Sequence, residues 1–341
     1  IKDDKNEFFS QAYAGHQFGH FTILGDGRAT LLGEHINIEN KRFDIQLKGS
    51  GKTTYSRNGD GKGTLKSMLR EYIVSEAMNN LNIKTTRSLA VLKTGEKIIR
   101  NSFEEGGILV RVAKSHIRVG TFQLAVLSKE VGNMEELIDY SIKRLHPEIY
   151  EHKGRYFEFY KKIVENQIKL MIEWQRVGFI HGVMNTDNMA LSGETIDYGP
   201  CAFLDEYNPK KVFSSIDQQG RYAYINQPAI GQWNLTRLAE AMLPLFMNDT
   251  DSEAVEKQAI DDATQILNDY VQMHQSAWES GMAKKLGLSS VETGDRESFE
   301  SLLDLLDESR LDFTLFFRRL SDCTDSNHDT SALFTLFDSP D

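Results

Sequence analysis

Two short stretches of this sequence carry oxygen donors at a spacing suited to a metal-bound phosphate. His181-Gly-Val-Met-Asn-Thr-Asp-Asn188 ends in adjacent Asp187 and Asn188, and Ile196-Asp-Tyr-Gly199 adds Asp197 shortly after. Carboxylate and carboxamide oxygens are what hard divalent cations prefer, and magnesium beside a phosphate uses one or two such ligands from protein. Upstream, Lys48 closes the run Phe43-Asp-Ile-Gln-Leu-Lys48, Glu71 lies in the next helical pattern, and Gly25-Asp-Gly-Arg28 forms a glycine-rich turn. A turn that lets backbone approach phosphate, a lysine held by a glutamate and a metal-binding pair are the parts that phosphoryl-type transfer requires. Singly they have plainer accounts: a turn without ligand, a surface lysine, a helix glutamate, a buried hairpin with capping Asp and Asn. Their order is what argues for chemistry.

Two lookalikes fall away. Gly49-Ser-Gly51-Lys52-Thr53 resembles a phosphate-binding G-x-x-x-x-G-K-[ST] loop, but the first glycine of that pattern falls on Gln46. The following Tyr55-Ser-Arg-Asn-Gly-Asp-Gly61 also reads as loop where that motif opens a helix. His16 and His20 would share a metal only on a helix, and the intervening Gln-Phe-Gly makes them loop residues with ordinary hydrogen bonds.

The elements that must position these residues follow from periodicity. Phe21–Leu24 and Ala29–Leu32 flank the glycine turn as a hairpin, and Phe43–Lys48 alternates as a third strand. After a basic, turn-rich stretch from Gly49 to Gly63, Thr64 caps a helix running to Leu81, with Leu65, Met68, Leu69, Tyr72 and Ile73 as its apolar stripe. Strands are predicted at Ser88–Leu92, Lys97–Arg100 and Ile108–Val112. Beyond about Ser115 long helices take over, at Phe157–Val177 with Gly178 as its stop, then Gln232–Phe246, Glu253–Met282 and Ser298–Leu320. Short strands near Met189–Leu191 and Thr195–Ile196 frame the second motif. No internal repeat is present. The outline is α+β and protein-kinase-like: a small β-rich N-lobe, residues 1–115, and a larger helical C-lobe, residues 116–341.

Composition narrows the function classes. A chain of 341 residues, 40% apolar and 26% charged, has enough material for a large core. Its net charge of −11 disfavours nucleic acid or an anionic membrane as partner, since phosphate contacts dominate such binding. Between Lys41 and Arg118, however, 16 Lys/Arg face 7 Asp/Glu, a local excess that suits a small polyanion such as a nucleoside triphosphate. No apolar run approaches the roughly 20 residues that cross a bilayer, and Ile1–Asn6 lacks the apolar core of a signal peptide. Cys201 and Cys323 stand far apart without metal-ligand spacing, which suits a reducing, intracellular compartment. With no initial Met and an end at Ser-Pro-Asp, the chain is expected to be a piece of a longer protein.

In kinases a loop of pattern H-R-D-x-x-x-x-N precedes D-F-G. His181, Asn188 and Asp197-Tyr-Gly199 fit that frame, but the position of the usual catalytic aspartate is Val183, and the nearby carboxylate is Asp187. Longer blocks are more specific: Tyr13-Ala-Gly-His-Gln-Phe-Gly-His20, Leu47-Lys-Gly-Ser-Gly51, Tyr55-Ser-Arg57, Gly59-Asp-Gly61, Arg70-Glu-Tyr72, Ser75-Glu-Ala-Met78, Ser115-His-Ile-Arg-Val-Gly-Thr-Phe-Gln123, His181–Met189, Asp197-Tyr-Gly-Pro200 and Trp233-Asn-Leu235. Through them about two thirds of the chain resembles the selenoprotein O family of protein adenylyltransferases, pseudokinases that transfer AMP.

The resemblance implies ATP bound in a flipped orientation and AMP transferred to Ser, Thr or Tyr hydroxyls of client proteins, with pyrophosphate leaving. It implies nucleotide contacts from Gly25, Gly27, Arg28, Lys48, Asp60, Gly61, Arg111, Arg118 and Asp197, with Glu71 steadying Lys48. Asn188 and Asp197 would hold Mg²⁺, or Mn²⁺ in its place, and Asp187 would accept the proton. The implied location is cytoplasmic in a bacterium and mitochondrial in a eukaryote. Phe213 stands where members commonly carry a cysteine, so the family's redox link is not expected here. A conventional kinase-like phosphotransferase and an inactive nucleotide-binding scaffold are the alternatives. Val183 disfavours the first, and the retention of Lys48, Asn188 and Asp197 disfavours the second.

Overall fold

The computed structural model describes residues 8–127, 133–247, 252–323 and 330–337, so the segments at the two chain ends read above lie outside it. Strands gather first: β1 (Ala12–Gln17), β2 (His20–Gly25), β3 (Ala29–Ile36), β4 (Arg42–Lys48), β5 (Gly63–Thr64), then helix α1 (Leu65–Asn80), β6 (Arg87–Ile99) and β7 (Phe103–Ala113). Helices follow: α2 (Val119–Leu127), α3 (Asn133–Leu145) and α4 (Arg155–Arg176), then the two-residue strands β8 (Phe179–Ile180) and β9 (Ala202–Phe203). The remainder is α5 (Gln227–Phe246), α6 (Glu253–Lys285), α7 (Asp295–Glu308), α8 (Phe313–Asp322) and α9 (Ser331–Phe334). The mixed α and β content matches expectation, with most strand ahead of residue 114. No described helix is long and apolar enough to cross a membrane.

Contacts divide the chain into two compact units. The first comprises Ile1–Gln167, Met184–Gly199 and Trp233–Leu267; the second comprises Ile168–Val183, Pro200–Gln232 and Asn268–Asp341.

In the first unit, β3-β4-β7-β5 form a sheet with β6 also paired to β7, while β1 and β2 form a separate two-stranded sheet. The expected hairpin across Gly25–Arg28 is therefore wrong. β2 pairs with β1 through a tight turn at Phe18-Gly19, both at positive φ, which suits a two-residue hairpin loop. β3 pairs with β4 instead. Gly25–Arg28 is a corner between two sheets. His16 and His20 accordingly stand on opposite strands of the hairpin rather than on a helix.

The predicted strands at 88–92 and 97–100 are one element, β6, because its pairing with β7 slips between Lys93 and Lys97, with Gly95 at φ +78°, instead of breaking. The predicted strands near 190 and 195 do not pair with each other. Ala190 bridges to Arg118 and Thr195 to Thr85, so this segment is stitched to earlier chain.

Helix α1 starts as expected, with the Thr64 hydroxyl accepting from Ser67 N. Its buried face differs: Met68, Glu71, Ser75 and Met78 turn inward, whereas Leu69, Tyr72 and Ile73 are exposed. β4 shows the same inversion, since Asp44, Gln46 and Lys48 are its buried residues while Phe43, Ile45 and Leu47 are half-buried. Inward polar groups survive only when paired, so both elements point to a polar centre in this unit. Elsewhere its core is apolar: Tyr160 on α4 donates to the Leu235 carbonyl at 3.1 Å, and Phe157 stacks on Phe246 at 4.1 Å.

The second unit is built on aromatic packing, with Tyr207, Tyr224, Phe299, Phe313, Phe316 and Phe317 in one buried cluster. The single helix expected over Ser298–Leu320 is two. Arg310 at φ +51° ends the first, and Asp312 caps the second by accepting from Leu315 N at 2.8 Å. The break lets Leu311 and Phe313 both enter the core.

Candidate active site

Five of the sequence-predicted residues meet in the first unit. Lys48 ends β4, opposite Leu109 of β7, and Arg111 pairs in register with Gln46. Glu71 projects from the inward face of α1. Lys48 Nζ donates to Glu71 Oε2 and to Asp197 Oδ1, both at 2.6 Å. Arg111 Nη1 donates to the same Asp197 oxygen at 2.6 Å and to Glu71 Oε1 at 3.2 Å. Arg118, in the turn before α2, donates from Nη1 to Asp197 Oδ2 at 2.5 Å and to the Asp187 carbonyl at 2.8 Å. One carboxylate thus holds three cations, and Arg118 ties it to the loop that carries Asp187.

Electrostatics follow from this crowding. Burial alone would raise the Asp197 pKa, but Arg111, Lys48 and Arg118 override it and hold the carboxyl well below its ordinary value. Asp197 sits at φ +63°, an uncommon conformation for a non-glycine residue, with its side chain 20% exposed. Lys48, Glu71, Arg111 and Arg118 are buried.

Asp187 lies on the 3₁₀ turn Thr186–Asn188 beneath the β1–β2 hairpin. Thr186 Oγ1 accepts from His16 N at 2.8 Å, and Asn185 Oδ1 from Phe18 N at 3.1 Å. Gly15 permits this approach, because a Cβ there would stand 2.2 Å from Asp187 Oδ1. Burial pushes the Asp187 carboxyl up to about 6, against the pull of Arg118. Its Oδ1 is buried with no hydrogen-bond partner among the described residues, an exception in a folded protein. Asn188, adjacent on the turn, is half-buried.

Other predicted residues stand apart from this centre. Asp60 is exposed and pairs with Arg100 at 2.9 and 3.0 Å, while the Gly61 carbonyl accepts from Gly51 N at 3.3 Å. The Arg28 side chain is exposed and takes part in none of the bonds above. Gly25 and Gly27 are packed by the loop after β4: a Cβ on Gly25 would meet the Tyr55 ring at 2.3 Å, and one on Gly27 the Tyr55 carbonyl at 2.9 Å. Gly27 N already donates to the Gly25 carbonyl at 2.8 Å and Asp26 N to Gln11 O at 2.9 Å. These glycines serve packing of the corner as the structure stands.

Sequence reasoning missed Gln46, Asp26 and Tyr13. Gln46, fully buried, donates from Nε2 to Asp26 Oδ2 at 2.9 Å and accepts from Arg111 Nε and Nη2 at 3.1 and 2.5 Å. Asp26 Oδ1 accepts from Tyr13 OH at 3.2 Å, and the Tyr13 ring lies 4.7 Å from the Arg118 guanidinium. The available signal was the alternation Asp44-x-Gln46-x-Lys48, which places all three on one strand face.

Residues 2–339 match the family model described as protein adenylyltransferase SelO. The chain belongs to this family. It is 56% identical over 312 residues to the protein nucleotidyltransferase YdiU of Brevibacillus brevis, covering 92% of this chain and 62% of that protein. It is 52% identical over 318 residues to the protein of the same name from Pelagibacter ubique, covering 93% and 65%. The chain therefore spans just under two thirds of the length of these relatives. Asp187, Asn188 and Asp197 each bring a side-chain oxygen to the first unit, and no three described His, Cys, Asp or Glu residues form a self-sufficient metal cluster. That donor set fits magnesium, which completes its shell with phosphate and water.

Proposed function

We propose that this chain carries the nucleotide-binding and catalytic centre of a protein adenylyltransferase, moving AMP from ATP to Ser, Thr or Tyr hydroxyls of client proteins. The supporting observation is the convergence of Lys48, Arg111 and Arg118 on one carboxylate, Asp197, beside the buried Asp187. Three cations around one partly exposed anion make a centre that can trade a carboxylate for phosphate oxygens. The proposal includes a kinase-like arrangement with lobes at 1–115 and 116–341, and a flipped ATP whose α-phosphate faces the acceptor hydroxyl.

In this reading Lys48, Arg111 and Arg118 bind the phosphates and spread their charge, usually the largest catalytic contribution, while Glu71 keeps Lys48 aimed. Asp197 and Asn188 would hold Mg²⁺, which when bound neutralises phosphate charge and polarises the phosphoryl oxygen. The client hydroxyl oxygen attacks the α-phosphorus and the bond from that phosphorus to the bridging oxygen of the β-phosphate breaks. Pyrophosphate leaves, and the hydroxyl proton passes to Asp187. A carboxyl raised to about 6 is ionised at neutral pH yet more basic than an ordinary aspartate, which suits that step. Gly25, Gly27, Arg28, Asp60 and Gly61 are proposed to contact the nucleotide. Val183 in place of an aspartate favours this reading over γ-phosphate transfer. Intact-mass analysis of the chain and a protein acceptor after incubation with Mg-ATP tests it: the expected adduct is AMP, and a phosphate adduct would overturn it.

A further inference from the structure

We propose that Gln46 and Asp26 are positioning residues that set the phosphate-binding geometry of Arg111 and Arg118. The inference rests on the reading of those arginines as phosphate ligands. A guanidinium presents five donors in a rigid plane, so fixing one edge fixes where the other edge points. Arg111 spends Nε and Nη2 on the single oxygen Gln46 Oε1, at 3.1 and 2.5 Å, which leaves Nη1 directed at Asp197. Gln46 in turn is not free to flip. Its Nε2 donates to Asp26 Oδ2 at 2.9 Å, and exchanging its oxygen and nitrogen would set a donor against Arg111 and an acceptor against the Asp26 carboxylate.

Asp26 reaches the second arginine as well. Its Oδ1 stands 3.6 Å from Arg118 Nη2 and accepts from Tyr13 OH, whose ring lies against that guanidinium. Gln46 is fully buried and Asp26 nearly so, at 0% and 3% exposure, so the chain of bonds is shielded from water. It is anchored outside the site by Thr53, whose hydroxyl donates to the Asp26 carbonyl at 2.7 Å. The glycine-rich corner thereby acts on phosphate indirectly: it carries Asp26, and Asp26 holds both arginines through Gln46 and directly.

The test compares affinity for ATP with affinity for adenosine, which has the base and sugar but no phosphate, in Gln46→Met, Asp26→Asn and Arg111→Ala. Gln46→Met removes both polar partners at similar volume. We expect ATP affinity to fall about tenfold, the effect of losing a hydrogen bond to a charged group, with adenosine affinity unchanged. Gln46→Glu combined with Asp26→Asn, which keeps the acceptor for Arg111 and turns the second contact into an amide donating to the new carboxylate, should recover part of the loss. Asp26→Asn, a smaller perturbation, supplies the same ratio if Gln46→Met does not fold. An equal drop for both ligands would mark a merely structural role and overturn the proposal. So would full ATP affinity in both variants while Arg111→Ala loses it. Full affinity in Arg111→Ala as well would instead refute the phosphate-binding reading beneath it.

Discussion

The inward face of β4 supports two buried ionic clusters, one at each end, and they differ in the way that separates a lock from a site. At one end Asp44 accepts from Arg144 Nη2 at 2.5 Å and from His116 N and Nδ1 at 2.9 and 3.0 Å, and Arg144 also pairs with Glu34. Burial and the neighbouring arginines hold His116 below its ordinary pKa, so it serves as a neutral partner. One carboxylate, one main cation and little solvent access make a cross-link between β4 and α3. At the other end Asp197 holds Lys48, Arg111 and Arg118 with 20% of its side chain exposed and a strained backbone. The same residue types are closed off from solvent at Asp44 and partly open to it at Asp197, which under the proposed function makes the second cluster exchangeable.

Breaking the second cluster should therefore cost chemistry, and breaking the first should cost stability. Asp197→Ala is expected to reduce AMP transfer by about 10³-fold, as measured by adduct formation at saturating ATP, because phosphate charge loses its organising centre. Wild-type turnover in that variant would make the two clusters equivalent. Arg144→Met should lower the free energy of unfolding by about 3 kcal/mol in a denaturant titration, since Asp44 would be left buried without its cation. Its ATP affinity per folded molecule should not change. A loss of affinity there would mean that the lock extends into the site.

Titration sharpens the contrast. With Asp187 raised to about 6, transfer should fall about tenfold per pH unit below that point, and Asp187→Asn should remove this limb along with most of the activity. The stability effect has the opposite sense. The folded state binds the Asp187 proton more tightly than the unfolded chain, so this residue costs stability as pH rises from about 4 to 6. Asp187→Asn should accordingly be more stable than the parent at pH 7 and not at pH 4. The smallest effect concerns the element that aims Glu71: Thr64→Ala should destabilise the fold by about 1 kcal/mol through loss of the α1 cap, measured by thermal unfolding.

How much of this was legible can be judged residue by residue. Motif order and resemblance point to Lys48, Glu71, Arg111, Arg118 and Asp197, and the structure brings them within hydrogen-bond distance. Helix starts at Thr64 and near Arg155 were also readable, because a cap and a 3.6-residue period are local signals. Pairing was not. Phe21–Leu24 and Ala29–Leu32 look like two arms of a hairpin, but which strand each joins depends on long-range partners that flanking residues do not encode. The apolar stripe of α1 misled for a related reason: Leu69, Tyr72 and Ile73 are exposed because its inner face is given to Glu71 and Ser75. Gln46 and Asp26 escape notice since each matters only through a neighbour that arrives from β7 or from the turn before α2.

The central claim is that the α-phosphate of ATP is transferred, and label position tests it most directly. ATP labelled at the α-phosphate, incubated with the chain, divalent metal and a hydroxyl-bearing protein acceptor, should mark protein while pyrophosphate accumulates in equal amount. ATP labelled at the γ-phosphate should leave protein unmarked. Protein carrying γ-label and no α-label would contradict the account and turn the same cluster of Lys48, Arg111, Arg118 and Asp197 into the site of a phosphotransferase.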